Sequence, residues 1–472
     1  MGLESVYKIK EQLSLIYTPK RIRTGATFVE KLEFLLKGDL DFHNQNSLYS
    51  LHNFHSFPAK FPPQLPKAFI KELTNVGDTV LDPMVGSGTT VLEAFLAKRK
   101  SYGFDIDPLA IKLSTIKTRH FDQNILLKYY QTILNNAEIG LKDIEGLNAF
   151  FQSKFDLKTR EFIGYWFGKE TRNELLALLK EINRIDDPNI KDYFEIVFSS
   201  IIITKTGGVS LALDLAHTRP HKAKVILNKD NQIIKGADYL NSKRVKYITK
   251  TTRSPIDEFK KRFYQNLTDF HKDDNVQYTP KIHFGNAQEL SLPDNSIDLI
   301  VTSPPYASNA IDYMRAHKFS LVWLGYDVEG LTNKRKEYIG GEFVTQFQFE
   351  KLPEYSKQKI EIISNTDKKR GLVLHRYYSE MKRAISEMYR VLKPGKAAIV
   401  VVGTSMMKGI DTETQICLAE IGMEQGFKVP HIGVRKLDRN KRMMPAGSQT
   451  DLSSQIQQRM HEEYVIGFYK PE

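Results

Sequence analysis

The amino-acid sequence predicts an α/β protein built on a doubly wound, mostly parallel sheet, with a large and mostly helical insertion. Short apolar runs rich in β-branched residues, such as residues 297–302, alternate with longer segments of helical spacing, such as residues 378–392. A glycine-rich turn separates an early apolar run from the helix after it, which is typical of the opening of a βαβ unit. About 175 residues then separate Asp105 from Lys281, far more than one crossover helix requires, and this length predicts the insertion.

The composition is that of a folded protein with a polyanionic partner. Of the 472 residues, 41% are hydrophobic and 26% are charged, which excludes a disordered tail protein and a fibrous repeat. The formal net charge of +12 at pH 7 favours a partner such as a nucleic acid. Cys417 is the single cysteine, so a disulfide framework and a thiolate zinc cluster are excluded and a cytoplasmic location is expected. No apolar run approaches the roughly 20 residues of a membrane span, so no membrane partner is expected.

The first strand is predicted to end at Asp82-Pro83, which leads into Met-Val-Gly-Ser-Gly-Thr-Thr. Gly86 and Gly88 allow a tight turn and a close backbone approach to a ligand, and the next helix would offer unpaired N–H groups. The second strand, over residues 101–104, ends at Asp105, near the separation expected for an acidic residue that binds a ribose. The missing Gly-Lys-Ser/Thr ending disfavours a P-loop, and the Asp-Pro start disfavours a nicotinamide site. We therefore predict a site for a small cofactor at this turn.

The most specific motif is Ser303-Pro304-Pro305-Tyr306, at the end of the strand predicted over residues 297–302. Two prolines fix the turn and remove two backbone N–H donors, so the motif presents hydrogen-bond acceptors to an exocyclic amine. The tyrosine offers a ring face on which a planar base can stack. The structural alternative is a surface turn followed by a core tyrosine, which the upstream cofactor-type turn disfavours. Because ligands bind beyond the carboxyl ends of strands in such sheets, we expect the two motifs to form one site.

The two motifs together resemble the signature of the DNA amino-methyltransferases, which pairs Asp-Pro-x-x-Gly-Ser-Gly-Thr with Ser/Asn/Asp-Pro-Pro-Tyr. The form Thr-Ser-Pro-Pro-Tyr is similar to the cytosine-N4 branch of that family. Residues 52–63, the helix end at residues 390–395 and the final strand at residues 463–469 are also similar to the family. The resemblance covers most of the chain outside residues 120–280. It implies the α/β fold of the S-adenosylmethionine-dependent methyltransferases.

The resemblance implies that the cofactor is S-adenosyl-L-methionine, and no metal is expected. Asp105 would bind the ribose hydroxyls, and Asn286 stands where many family members carry an Asp near the adenine. His52 and His55 resemble metal ligands only by residue type, because no Cys or acidic partners cluster with them, so packing or a contact to cofactor or DNA is favoured. The residues expected around the cofactor are Lys60, Phe61, Asp82, Gly86, Gly88, Thr89, Asp105 and Asn286.

The resemblance also implies methyl transfer to the exocyclic amine of a base flipped out of duplex DNA. Ser303 Oγ and the Pro304 carbonyl would accept the amine hydrogens, and the predicted catalytic residues are Ser303, Pro304, Pro305 and Tyr306. No covalent intermediate is needed, so Cys417 is expected to be a core residue. The predicted target is cytosine N4, in a restriction-modification setting. The alternatives are adenine N6, an exocyclic guanine amine of RNA, and a DNA-binding protein whose methyltransferase core is inactive.

These predictions divide the chain into four parts. Residues 1–48 are an N-terminal extension, 49–120 the cofactor-binding part of the core, 121–280 an inserted domain and candidate for target recognition, and 281–472 the catalytic part of the core, with an excursion over 307–371. Within the inserted domain, helices are predicted over residues 124–147 and 162–185.

Double-stranded DNA is the predicted partner, and a cognate restriction endonuclease is a candidate second partner. Basic residues cluster between residues 243 and 262 and again between residues 435 and 442. Such clusters can be solvated helix faces, but in a DNA enzyme they are candidates for phosphate contacts. The residues predicted to contact DNA are Lys243, Arg244, Lys260, Lys261, Arg262, Arg435, Arg439 and Arg442.

Overall fold

The computed structural model describes residues 24–43, 45–58, 60–215, 220–267, 273–307, 313–437 and 462–472. In chain order, the strands are β1 Thr79–Asp82, β2 Lys100–Asp105, β3 Val225–Leu227, β4 Ile233–Lys235, β5 Thr249–Thr251, β6 Lys281–Phe284, β7 Ile297–Thr302, β8 Leu392–Val402, β9 Met406–Met407, β10 Ile410–Asp411, β11 Ile432–Lys436 and β12 Glu462–Tyr469. The main sheet has the strand order β11–β12–β8–β7–β1–β2–β6.

The main sheet is doubly wound and mostly parallel, as predicted from the sequence. Strands β6, β2, β1, β7 and β8 run parallel to their neighbours, whereas β12 runs antiparallel to both β8 and β11. The order in which the chain adds strands reverses between β1 and β7, because β2 and β6 lie on one side and β8 on the other. The carboxyl ends of β1 and β7 therefore lie side by side, at the position where ligands bind in such sheets.

Helices cover both faces of this sheet. In chain order they are α1 Phe28–Leu36, α2 Gln64–Leu73, α3 Thr89–Leu96, α4 Pro108–Lys117, α5 Gln123–Gly140, α6 Ile144–Lys154, α7 Leu157–Trp166, α8 Lys169–Ile182, α9 Pro188–Ile202, α10 Val245–Ile248, α11 Pro255–Leu267, α12 Tyr313–Leu321, α13 Val328–Lys334, α14 Glu354–Thr366, α15 Lys368–Val391 and α16 Thr414–Glu424. Alternate residues of β7 enter different cores: Leu299 and Val301 pack with α1 and α2, whereas Ile300 packs with α14, α15 and α16. All six residues of β7 are buried, which explains its mostly apolar sequence. The exception in charge, Asp298, accepts a hydrogen bond from Thr79 N and pairs with Lys393.

The part predicted as an N-terminal extension contributes a helix to the core. In α1, Leu32 and Leu36 are fully buried against the sheet. Two glycines let the helix approach the strands: a Cβ on Gly467 would lie 2.4 Å from Leu36 Cδ1, and one on Gly433 would lie 2.5 Å from the Leu36 carbonyl oxygen. Helix α1 is thus one layer of the core.

The helices of the insertion are shorter than predicted. The prediction of one helix over residues 124–147 is wrong, because Asp143 starts a second helix by accepting a hydrogen bond from a backbone N–H of the first turn of α6. The prediction over residues 162–185 is wrong for a similar reason, since Gly168 lies at the start of α8 and separates it from α7. Helical spacing of apolar residues continues across both breaks and does not reveal them.

The insertion also contains a small sheet with the strand order β4–β3–β5, which the sequence patterns did not predict. Lys250, on β5, ties this sheet to the segment after α9. Its Nζ donates to the carbonyl oxygen of Thr206 at 2.8 Å and to that of Ala212 at 2.5 Å. Burial lowers the pKa of Lys250 to about 7.

The excursion after β7 contains α12, α13 and α14 and returns through the long helix α15. This helix begins at Lys368, ten residues before the predicted start at Tyr378, because Asp367 accepts a hydrogen bond from Arg370 N at 3.1 Å and caps it. Within the described ranges, none of the helices combines the length and the apolar character that a membrane span requires.

Candidate active site

The glycine-rich turn between β1 and α3 has a backbone that requires glycine. Gly86 and Gly88 have φ angles of 47° and 77°, in the left-handed region. A Cβ on Gly88 would lie 2.8 Å from Ser114 Cβ, because α4 packs directly against the turn. From the same helix, the buried Lys117 donates a hydrogen bond to the Ser87 carbonyl at 2.7 Å. The turn is therefore held by its own geometry and by α4.

Asp105, at the end of β2, faces this turn. Its Oδ2 accepts a hydrogen bond from Gly86 N and its Oδ1 accepts one from Asp107 N, each at 2.9 Å. Burial raises the pKa of Asp105 to about 7, and the neighbouring Asp107 adds to this effect. A ligand that donates hydrogen bonds to this carboxylate would stabilise its charged form.

The two sequence motifs meet through Asp82, at the end of β1. Its Oδ1 accepts a hydrogen bond from the hydroxyl of Thr302, the last residue of β7, at 2.7 Å, and another from Met84 N at 3.2 Å. Asp82 is 2% exposed, and burial raises its pKa to about 6. Thr302 immediately precedes Ser303, so one hydrogen bond joins the glycine-rich turn to the Ser-Pro-Pro-Tyr motif across 220 positions of sequence.

A cleft of about 830 Å³, open to solvent, lies over these strand ends. Most of the predicted cofactor residues line it, together with two residues of the catalytic motif. The predicted residues that line it are Lys60, Phe61, Asp82, Gly86, Thr89, Asp105, Asn286, Ser303 and Pro305. Gly88 lies against α4 instead, and Asn286 uses its Oδ1 to accept a hydrogen bond from Gln288 N at 3.0 Å.

A second cleft, of about 910 Å³, adjoins the first and contains Tyr306. Pro305 lines both clefts, as do three residues that the sequence reasoning missed: Tyr313, Tyr338 and Ile339. Two cations, Arg335 and Lys336, line the second cleft only. The Ser-Pro-Pro-Tyr motif therefore lies at the boundary between the two clefts.

Asp107 is a further residue of the first cleft that the sequence reasoning missed. It is buried, caps α4 by accepting a hydrogen bond from Leu109 N at 2.8 Å, and pairs with His317 Nδ1 at 2.5 Å. Burial opposes ionisation most strongly, but the contact with His317, together with hydrogen bonds from Tyr338 and from Leu109 N, lowers the pKa of Asp107. Its position just before Pro108 is a recognisable helix-start signal, whereas its partner on α12 depends on the tertiary fold.

The two histidines of the segment before the glycine-rich turn are structural. His52 Nε2 lies 2.8 Å from Glu93 Oε1, and His55 Nε2 lies 3.0 Å from Ser199 Oγ. Lys60 Nζ donates to the carbonyl oxygens of both histidines. Across the described residues, no group of three or more His, Cys, Asp or Glu side chains could hold a metal ion.

Tyr306 is anchored by a residue of the last strand. Its hydroxyl donates to Glu463 Oε1 at 2.8 Å, and Glu463 Oε2 forms an ion pair with Arg435. Burial, and then the charge of Glu463, raise the pKa of Tyr306 well above its usual range, so the phenol keeps its proton. Cys417 is fully buried, which confirms that it is a core residue.

The predicted DNA-contacting residues lie in different environments. Lys243, Arg244 and Lys261 are exposed, Arg262 is half-buried, and Lys260 pairs with Glu138 at 2.9 Å. Arg439 and Arg442 lie outside the described residues.

Arg435 was predicted to be exposed and to contact phosphate, and this prediction is wrong. It is 8% exposed and faces Glu463, its direct partner in the β11–β12 register. Its guanidinium therefore forms a buried ion pair with Glu463 and is not available on the surface.

Comparison with known proteins identifies similar sequences along most of the chain. A family model described as DNA methylase, of the N6 and N4 type, matches residues 18–116 and 297–465. Type II methyltransferase M.MvaI of Kocuria varians is 25% identical over 450 residues, covering 90% of this chain and 92% of that protein. Type II methyltransferase M.MjaII of Methanocaldococcus jannaschii is 26% identical over 422 residues, covering 72% and 78%. Among solved structures, a DNA modification methylase of Thermus thermophilus, complexed with S-adenosyl-L-methionine, is 18% identical, covers 40% of this chain and 54% of its own, and has a TM-score of 0.21.

Proposed function

The chain belongs to the DNA methylase family of N6 and N4 enzymes, and from this premise we propose that it transfers a methyl group from S-adenosyl-L-methionine to the N4 amine of cytosine in double-stranded DNA. The observation that carries the proposal is the hydrogen bond between Thr302 and Asp82. It holds the acceptor motif that begins at Ser303 beside the glycine-rich turn. A cofactor bound over the turn and a base held by the motif would thus be neighbours.

The residues of the first cleft fit S-adenosyl-L-methionine by their chemistry. The half-buried carboxylate of Asp105 suits two sugar hydroxyls, and the exposed amide of Asn286 suits an adenine edge. Phe61 lines the same cleft and gives an apolar flank, and Lys60 flanks the site beside it. When bound, the cofactor supplies an electrophilic methyl group on a positively charged sulfur.

The acceptor motif would position the amine. We propose that Ser303 Oγ and the Pro304 carbonyl accept the two amine hydrogens and direct the nitrogen lone pair towards the methyl group. The ring of Tyr306 would stack against the flipped base from the second cleft. The amine nitrogen would gain the methyl group as the bond from that group to the cofactor's sulfur breaks, and it would release one proton to solvent.

The DNA-contacting surface is proposed to include the basic module, defined as residues 220–254 around β3, β4 and β5. Exposed Lys243 and Arg244 stand there near the exposed ring of Tyr247. Cations interleaved with aromatic rings suit nucleic acid, and each phosphate contact would release counterions. The basic residues of the module are Lys222, Lys224, Lys229, Lys235, Lys243, Arg244, Lys246, Lys250 and Arg253, against Asp230 and Asp238.

The test is mass spectrometry of nucleosides from DNA, and in a separate reaction from RNA, incubated with the protein and S-adenosyl-L-methionine. The expected product is N4-methylcytosine, and Tyr306→Ala, prepared in parallel, should abolish most of it and so exclude a contaminating enzyme. N6-methyladenine alone would establish the adenine alternative. Methylated guanosine from RNA would establish the RNA alternative, and cofactor binding without any product would establish an inactive core.

A restriction-modification setting follows from the relatives, which are Type II methyltransferases. We propose that a cognate endonuclease recognises the same DNA sequence. Single-molecule sequencing of the methylated DNA gives that sequence. Cleavage of unmethylated but not methylated DNA at this site, by an endonuclease from the same organism, is the expected result.

A further inference from the structure

We propose that Glu463 is a positioning residue that holds the ring of Tyr306 at the boundary between the two clefts, and that Arg435 orients Glu463 for this task. The inference rests on the proposed function, since it concerns the ring against which the flipped base would stack. Glu463 is on the last strand, 157 positions from Tyr306 in sequence, and belongs to neither sequence motif.

The geometry divides the carboxylate between two partners. Oε1 accepts the Tyr306 hydroxyl at 2.8 Å, and Oε2 pairs with the Arg435 guanidinium. Arg435 and Glu463 are direct neighbours in the antiparallel β11–β12 register, so the backbone of the sheet sets the direction of the carboxylate. With Oε2 engaged by Arg435, Oε1 is directed at Tyr306.

The orientation of Tyr306 is set by this contact at its hydroxyl, which also takes a hydrogen bond from the Ser303 side chain. The prolines before it fix the backbone but not the side-chain torsions, and its ring lines the second cleft. A hydroxyl bound at the far end of the ring removes the remaining rotational freedom. A ring already held in the stacking orientation loses less entropy when a base arrives, so the contact should raise the rate of methyl transfer.

A purely stabilising contact is the competing explanation, and the chain contains a matched arrangement for comparison. Tyr355 donates to Glu413 Oε2 at 2.5 Å, and Glu413 also pairs with Lys359. The same arrangement of a tyrosine hydroxyl, a carboxylate and a cation therefore occurs at a second place, and its three residues line neither cleft. Tyr355→Phe should lower the melting temperature without changing the methyl-transfer rate.

The experiment is a mutant cycle read by single-turnover methyl transfer on DNA. Glu463→Leu combined with Arg435→Met removes the acceptor without leaving a lone buried cation, and Glu463→Gln keeps a neutral acceptor. The Leu/Met pair is expected to slow transfer roughly 10-fold to 100-fold, the rate equivalent of one hydrogen bond to a charged group. Glu463→Gln should restore most of that loss. Calorimetry should show unchanged affinity for S-adenosyl-L-methionine in both.

Repeating the substitutions in a Tyr306→Phe variant distinguishes positioning of the Tyr306 ring from general stabilisation of the fold. There, the Leu/Met pair should slow transfer no further, because the hydroxyl through which it acts is already absent. An equal loss in both backgrounds, or a loss of cofactor affinity that follows the melting temperature, overturns the inference while the proposed function stands. A wild-type protein that methylates no DNA overturns both.

Discussion

The carboxyl edge of the main sheet and the basic module of the insertion use charge in opposite ways. At the edge, the carboxylates of Asp82 and Asp107 are each 2% exposed, and Asp105 accepts backbone hydrogen bonds on both oxygens. In the basic module, Lys243 and Arg244 are exposed to solvent. Buried acids suit a cationic cofactor held against the strand ends, whereas exposed cations suit a polyanion that arrives from solution. We therefore expect the sheet edge to position the cofactor precisely and the basic module to attract DNA in a salt-sensitive way.

The largest effect is expected from Asp105→Ala. Two cofactor hydroxyls would lose a charged acceptor, and each such hydrogen bond contributes roughly 1.5 to 3 kcal/mol. Calorimetric affinity for S-adenosyl-L-methionine should fall accordingly, while a Lys243→Glu/Arg244→Glu variant, altered only in the basic module, should bind the cofactor normally. Unchanged affinity in Asp105→Ala would remove this carboxylate from the site.

A smaller effect is expected at the acceptor motif. Tyr306→Ala removes a stacking face worth roughly 1 to 3 kcal/mol, and Ser303→Ala removes one acceptor worth about 1 kcal/mol. Single-turnover methyl transfer should slow in both, with cofactor affinity nearly unchanged. Full activity in Ser303→Ala would show that this hydroxyl does not hold the amine, and full activity in Tyr306→Ala would show that its ring does not stack on the base.

The basic module should determine how DNA binding depends on salt concentration and should leave the methyl-transfer step unchanged. Lys243→Glu/Arg244→Glu should weaken DNA binding and reduce the slope of log affinity against log salt by about 0.9 per lost phosphate contact. Lys368→Glu/Lys369→Glu makes the same charge change at an exposed pair outside the insertion and is the control. If both variants change the slope equally, only net charge matters and the module has no special role.

The smallest effect is a pH dependence of cofactor binding. The pKa values of Asp105 and Asp82 are raised to about 7 and about 6, so both carboxyls gain protons as the pH falls through that window. Affinity for S-adenosyl-L-methionine should therefore fall from about pH 8 to about pH 6, and Asp105→Asn should flatten the decline near pH 7. Because Asp105 binds its proton more tightly in the folded than in the unfolded state, the stability of the cofactor-free protein should fall as the pH rises towards about 7 and level off above it. A profile that is identical in the variant would exclude Asp105 as the titrating group.

The main sheet was predictable because its signals are local. Short, mostly apolar runs mark β1 and β7, and a glycine pair follows the first and a proline pair the second. Both motifs were therefore located, and their meeting at one edge follows from the geometry of parallel strands.

Other features depend on contacts between distant segments and were not predictable. The burial of Arg435 requires knowing that Glu463 faces it across two strands. Tyr313 and Tyr338 come to the clefts through the path of the excursion, for which no spacing rule exists. The short strands β3, β4 and β5 are three residues each, too short for an alternating pattern to distinguish them from loops.

The hydrogen bond from Thr302 to Asp82 would link the two proposed binding events, of the cofactor and of the target base, thermodynamically. A cofactor that favours the ionised form of Asp82 strengthens the acceptor for Thr302, and with it the placement of the next residue, Ser303. If the bound cofactor raises the affinity for the target base by some factor, the bound base raises the affinity for the cofactor by the same factor, because coupling between two sites is reciprocal. Thr302→Val, which keeps the side-chain shape and removes the hydroxyl, should reduce this cooperativity in both directions by the same factor.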